Sequence, residues 1–156
     1  MKKLTILLAI VALTTFTFGL AFTQTADQTV TLEVKAVSKI SISGPASLVI
    51  ENAPADLSGL TAASDNSSTF NLIYNGTTGK VTAGIDVAVP ANTTLEVTLQ
   101  GGSKVNIGNA TTAVQVLGGL SKTKLTGQSI TYDFSATEAA GVIASVDKTI
   151  TFTVTN

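Results

Sequence analysis

The chain contains no cysteine, no histidine and no tryptophan, and all nine of its basic residues are lysine. Without imidazole or thiol there is no Ser-His or Cys-His pair to activate a nucleophile. There is equally no thiolate or imidazole metal site and no disulfide framework. Without arginine there is no guanidinium fork for phosphate or guanine. A net charge of −1 gives no basic footprint for nucleic acid. Charged residues are 12% of the chain and aromatics 5%, which leaves few side chains for ion pairing or for a stacking platform. This inventory predicts no enzyme and no cofactor.

What remains is apolar and hydroxylic. Hydrophobic residues are 44%, mean hydropathy is +0.42, and Ser plus Thr make up 39 of 156 residues. That length supports one domain.

The start of the chain carries the sharpest signal. Met1-Lys2-Lys3 is cationic, residues 4–18 (LTILLAIVALTTFTF) are apolar but for Thr, and Gly19-Leu20-Ala21 follows. Charged start, apolar core and small-residue site are the three parts of a secretory signal. The reading is a signal peptide over 1–21, helical over 4–18 and cleaved between Ala21 and Phe22. The alternative is an uncleaved anchor, but a span needs about 20 apolar residues, and this run reaches that only with 19–22 added. No second long apolar run follows, and there is no cysteine to acylate. The expected location is secreted, extracellular or at the cell surface (periplasmic in a Gram-negative cell). Membrane contact is expected only through the uncleaved signal. Cleavage would leave seven Lys against ten acids, a balance of −3.

Beyond residue 21 the apolar period is two. Residues 29–37 (TVTLEVKAV) alternate Val30, Leu32, Val34 and Ala36 against polar neighbours, and the phase continues through Ile40 and Ile42. Further strands are predicted over 47–51, 70–74, 80–89 and 95–99, then around Val105, Ile107, Val114 and Val116, and finally over 130–134 and 150–154. Thr and Val fill them, and Gly, Pro and Asn punctuate them. The fold class is therefore all-β: a single antiparallel β-sandwich of about eight or nine strands, immunoglobulin-like or jelly-roll-like, over 29–156. A polar arm, 22–28, precedes it. Alternation places Ile85, Val87, Leu95, Val97, Tyr132, Phe134, Ile150 and Phe152 in the core, with Phe70 beside them. Residues 52–68 read as a long crossing loop, 118–127 (GGLSKTKLTG) as a basic loop, and 137–142 as one helical turn.

Short matches to chemical motifs are weak. Ser121 with Lys124 fits S-x-x-K and Ser64-Asp65-Asn66 fits S-D-N, but the order is reversed and no K-T-G exists. Gly76 to Lys80 is two residues short of a phosphate loop, and Asn75-Gly76 reads as a hairpin turn. The ten acids are scattered, and only Asp56 and Asp65 on the long loop suggest a calcium site. Phe22 and Tyr74 are the aromatics left for a glycan platform. Four sequons, at Asn66, Asn75, Asn92 and Asn109, fall in predicted turns.

Residues 130–156 (ITYDFSATEAAGVIASVDKTITFTVTN), with 29–37 and 68–74, resemble strands of bacterial immunoglobulin-like surface and fibre-subunit modules. The resemblance implies an extracellular structural role. Chaperone-usher pilins and spore-coat-U-like modules commonly carry a disulfide, which this chain lacks. The leading expectation is a structural protein, a matrix or filament subunit without catalytic activity. The alternative is an extracellular glycan- or calcium-binding sandwich; an eight-stranded membrane barrel is a third reading, though it lacks aromatic girdles. Self-association through strand edges is the expected partnership, with the arm 22–28 pairing with a neighbour's open edge once cleavage frees it.

Overall fold

A computed structural model describes residues 25–156. The expected signal segment 1–21, the helix expected over 4–18 and the expected Ala21/Phe22 cleavage junction lie outside the described residues, as does part of the arm 22–28.

The chain divides into two compact units, with the boundary between Val34 and Lys35. In the first, the described residues 25–34 form no strand and every one of them is exposed. The second is all-β, with two antiparallel sheets and nine strands among the described residues.

In the larger sheet, β1 (Ser38–Ser43) pairs with β3 (Thr69–Tyr74), and β3 pairs with the first half of β8 (Thr123–Ala136). The second half of β8 pairs with β5 (Thr93–Leu99), and β5 with the short β6 (Val105–Asn106). β2 (Ala63–Asp65) lies against Tyr132, Asp133 and Phe134 of β8. The smaller sheet runs β7 (Val114–Leu120), β4 (Gly79–Ile85), β9 (Ile150–Thr155). A single 3₁₀ turn, Glu138–Ala140, falls where one helical turn is predicted.

Alternation and β-branching explain these strands. Along β5 the side chains of Leu95, Val97 and Leu99 are buried while Thr94, Glu96 and Thr98 face outward. Val81, Ala83 and Ile85 do the same on β4. The inner faces of both sheets supply one core cluster, with Phe70, Leu99, Ile107, Ile130, Val81 and Val97 fully enclosed. β8 serves two neighbours by bending. The β3–β8 register shifts between Phe70 and Leu72, Gly127 takes φ +60°, and its N–H donates to Asn71 Oδ1 at 2.9 Å. A bulge of this kind raises the local twist and re-aims a long strand.

Several expectations are corrected. Residues 29–37 are not a strand. β1 starts at Ser38, opposite Tyr74, and its six residues use up β3, which turns away at Asn75. Residues 47–51 are irregular as well. Val87 is 59% exposed because β4 stops at Ile85: Asp86 Oδ1 accepts from the N–H of Val87 at 2.8 Å and of Thr149 at 3.1 Å, which ends the pleat. Phe134, Ile150 and Phe152 pack on the core while only partly buried. Finally, 118–127 is not a loop. It is the β7–β8 hairpin, whose turn holds Ser121 and Lys122, the latter at φ +45°.

Candidate functional site

Among the described residues there is an open groove of about 880 Å³. Leu95, Tyr132, Phe134, Val89 and Ile150 line it from strands and their ends, and two irregular segments, 46–53 and 141–148, form its rims. The strand contribution follows from register: Leu95 lies opposite Phe134 and Val97 opposite Tyr132, so their side chains share one face of the β5–β8 ladder. The rims are apolar yet open to solvent. Val142 is fully exposed, Val49 is 63% and Val146 54% exposed.

The rims owe their shape to a few polar anchors. Asp65 holds the first: its carboxylate accepts from Ser67 N at 2.9 Å, Ser67 Oγ at 2.7 Å and Ser47 N at 3.1 Å. These bonds, the Ser67 hydroxyl first, hold its pKa below the usual carboxylate value. Asp86 anchors the end of the second by bonding Thr149, and its pKa is lowered chiefly by the Val87 and Thr149 N–H groups. Between those anchors the backbone of residues 142–148 makes no hydrogen bond with any described residue. Tyr132 lies at the bottom of the groove, 5% exposed, and its phenol is pushed up to about 12 by burial and then by the nearby Asp65 charge. Ser68 is buried and donates to the Gly44 carbonyl at 3.1 Å. Apolar walls beside an unpaired backbone suit a strand-shaped apolar ligand.

The residues singled out from sequence are placed apart from this groove or serve as turn chemistry. Ser121 lies in the β7–β8 turn and Lys124 at the start of β8, whereas Ser64 faces Asp133 near the other end of β8. Nine residues of strand, about 30 Å, separate Lys124 from Asp133, so the two motif fragments do not meet. Asp56 is an Asx-turn residue that accepts from Ser58 Oγ at 2.8 Å and Ser58 N at 3.1 Å. Among the described residues no three acidic side chains come together as a metal group. Tyr74, an expected surface aromatic, is buried: its ring covers the turn between β3 and β4, and its hydroxyl donates to the Thr78 carbonyl with Asn156 Oδ1 at 2.9 Å. A Cβ on Gly79 would stand 2.6 Å from that ring, so the turn admits the ring only as glycine. Phe22 lies outside the described residues. All four sequon asparagines are exposed. Asn75 spends both ends of its amide on the backbone, accepting from Val37 N at 2.7 Å and donating to the Lys35 carbonyl at 2.8 Å. Asn92 donates to the Ala139 carbonyl at 3.2 Å.

Strand pairing does unite two acids that stand far apart in sequence. Glu96 and Asp133 are register partners on the outward face of the larger sheet, with Ser64 next in the row. Lys104 Nζ lies 3.1 Å from Asp133 Oδ2. That lysine and then Ser64 hold the Asp133 pKa below its usual value. The two acids are direct neighbours in one strand ladder and Asp133 is paired with Lys104, which is not the arrangement of two acids facing each other across a substrate cleft.

The groove itself was missed in the sequence because its second rim reads as an Ala/Gly loop. The signal was present in Val142, Ile143 and Val146, three large apolar residues in a stretch without strand partners. Compared with protein-family models, curated proteins and solved structures, the chain matches none.

Proposed function

We propose that this chain is a secreted or cell-surface structural β-sandwich, a subunit of a matrix or filament, without catalytic activity. The fold type within that reading is immunoglobulin-like or jelly-roll-like. The observation that carries it is the apolar groove with exposed valines on both rims, since soluble monomers rarely leave contiguous apolar surface uncovered. Strand edges support it as well. β7 and β9 each pair on one side only among the described residues, and neither carries a charged side chain. Monomeric proteins usually guard such edges with lysine or proline. The signal-like start supports export, and the lack of histidine, cysteine and arginine supports a role in binding surfaces rather than chemistry.

The test is electron microscopy and sedimentation of the native exported fraction, with its intact mass. Ordered polymers formed by a chain that has lost residues 1–21 support the reading. Monomer at high concentration sinks it. A rise in melting temperature on adding calcium or glycans would favour the ligand-binding alternative instead.

A further inference from the structure

We propose that residues 29–34 of one chain dock as an added strand in the groove of a second copy. This rests on the structural-subunit reading and names the two surfaces that join. Val30, Leu32 and Val34 alternate with Thr29, Thr31 and Glu33, the pattern of a strand with one buried face. Yet they are 66, 88 and 89% exposed, and residues 25–34 form no strand. The groove is the complementary case. Its rim residues 142–148 have unpaired N–H and C=O groups beside exposed Val142 and Val146, and its interior is Leu95, Tyr132 and Phe134.

Each surface lacks what the other offers. A segment patterned as a strand forms none among the described residues, and an apolar trough has an unpaired backbone along its rim. In the free chain both backbones are open to water, and strand addition exchanges those water bonds for bonds between chains while the valines and leucine enter the trough. Lengths agree: six residues in a strand span about 20 Å, and seven rim residues span about 23 Å. Asn75 sets the end of the docking segment, because its bonds to Lys35 and Val37 commit those residues to their own chain. Repetition from copy to copy is head-to-tail, which builds filaments when the rotation does not close.

The absence of cysteine makes the test clean. Exported Leu32→Cys protein is mixed with exported Ser145→Cys protein under mild oxidation. A Lys124→Cys protein, modified on a distant exposed strand position, is the control partner. Docking predicts disulfide-linked heterodimers forming about tenfold or more faster with Ser145→Cys than with the control, since docking raises the effective concentration. In parallel, Leu32→Asp in the otherwise unaltered exported chain should abolish assembly while leaving the circular dichroism spectrum and melting temperature in place. Equal cross-linking of both partners, or assembly of Leu32→Asp like the parent, overturns the inference but spares the subunit reading if the parent still polymerises. A Leu32→Cys/Ser145→Cys chain that closes only on itself at high dilution, with no mixed dimer, also overturns it. A parent that stays monomeric at high concentration sinks both.

Discussion

Residues 93–99 and 29–34 are written in nearly the same alphabet, Thr, Leu, Val and one Glu in alternation, and they end in opposite surroundings. In β5 the apolar members are at most 5% exposed, with β8 on one side and β6 on the other. In 29–34 they are among the most exposed large apolar residues of the described chain. Intrinsic preference for the pleated conformation does not separate the two. Partners do: a strand needs a neighbour's backbone and a covered face, and β-propensity measures how well a residue fits such a half-buried surface.

Truncation in the core should show the widest gap between the two regions. Leu99→Ala or Phe70→Ala removes a side chain with no exposed surface and leaves a cavity between packed neighbours. Each should cost about 3–5 kcal/mol in denaturant unfolding, against a total of about 5–15 for a domain. Phe134→Ala and Phe152→Ala, which alternation alone ranks with them, should cost clearly less because both rings are only partly buried. If Phe134→Ala proves as costly as Phe70→Ala, the groove is covered in the free protein.

A second gap lies in the turns. Gly79→Ala drives a methyl into the buried Tyr74 ring and should destabilise by about 1–3 kcal/mol, the usual cost of overpacking. At Gly102 the nearest obstacle is the Leu99 carbonyl at 3.2 Å, a milder conflict, so Gly102→Ala should cost less. Thermal melts of the two variants decide it.

These contrasts also show how far the residues alone could be read. Periodicity found β3, β4, β5, β9 and the second half of β8 because each has a covered face, and it found the Phe70, Ile85, Leu95, Val97 and Tyr132 core for the same reason. It overran at Val87, where a carboxylate on Asp86 bonds Thr149, 63 residues away, and ends the strand. It misjudged 118–127 because glycine is depleted in strands and usually marks a loop, whereas here Gly118 and Gly119 sit inside β7. The groove was illegible because it is a property of what fails to pair, and a single sequence displays the capacity to pair but never its refusal.

The two anchors of the groove rims, with Asp133 on the outward sheet face, predict a pH response. Asp65, Asp86 and Asp133 all have pKa values below the ordinary carboxylate value in the folded protein. The folded state therefore binds fewer protons in acid than the unfolded chain. The stability these groups contribute is complete above the unfolded pKa of about 4 and is lost as pH falls through the lower folded values. Melting temperature should hold between pH 7 and 5 and fall below about pH 4, and Asp86→Asn should flatten the fall. At the other extreme Tyr132, raised to about 12, favours the folded state only while protonated. Its contribution is full below the unfolded value of about 10 and is lost as pH rises toward 12.

The smallest expected effect is the most discriminating. Leu32→Ala and Val34→Ala, measured in dilute monomer, should shift unfolding by no more than about 0.5 kcal/mol, the range of exposed substitutions. Leu32 is 88% exposed, so truncating it removes little buried surface and leaves no cavity. The same change made at Leu95, where the side chain is 5% exposed and lies opposite Phe134, should cost about 2–5 kcal/mol. Both leucines precede or follow Thr and Glu in strand-like alternation, so composition cannot account for the difference. A large loss at Leu32 in the monomer would mean that its side chain is buried within its own chain. A negligible loss, with a large one appearing only as concentration rises, would show that residues 29–34 contribute their burial to a neighbour rather than to their own fold.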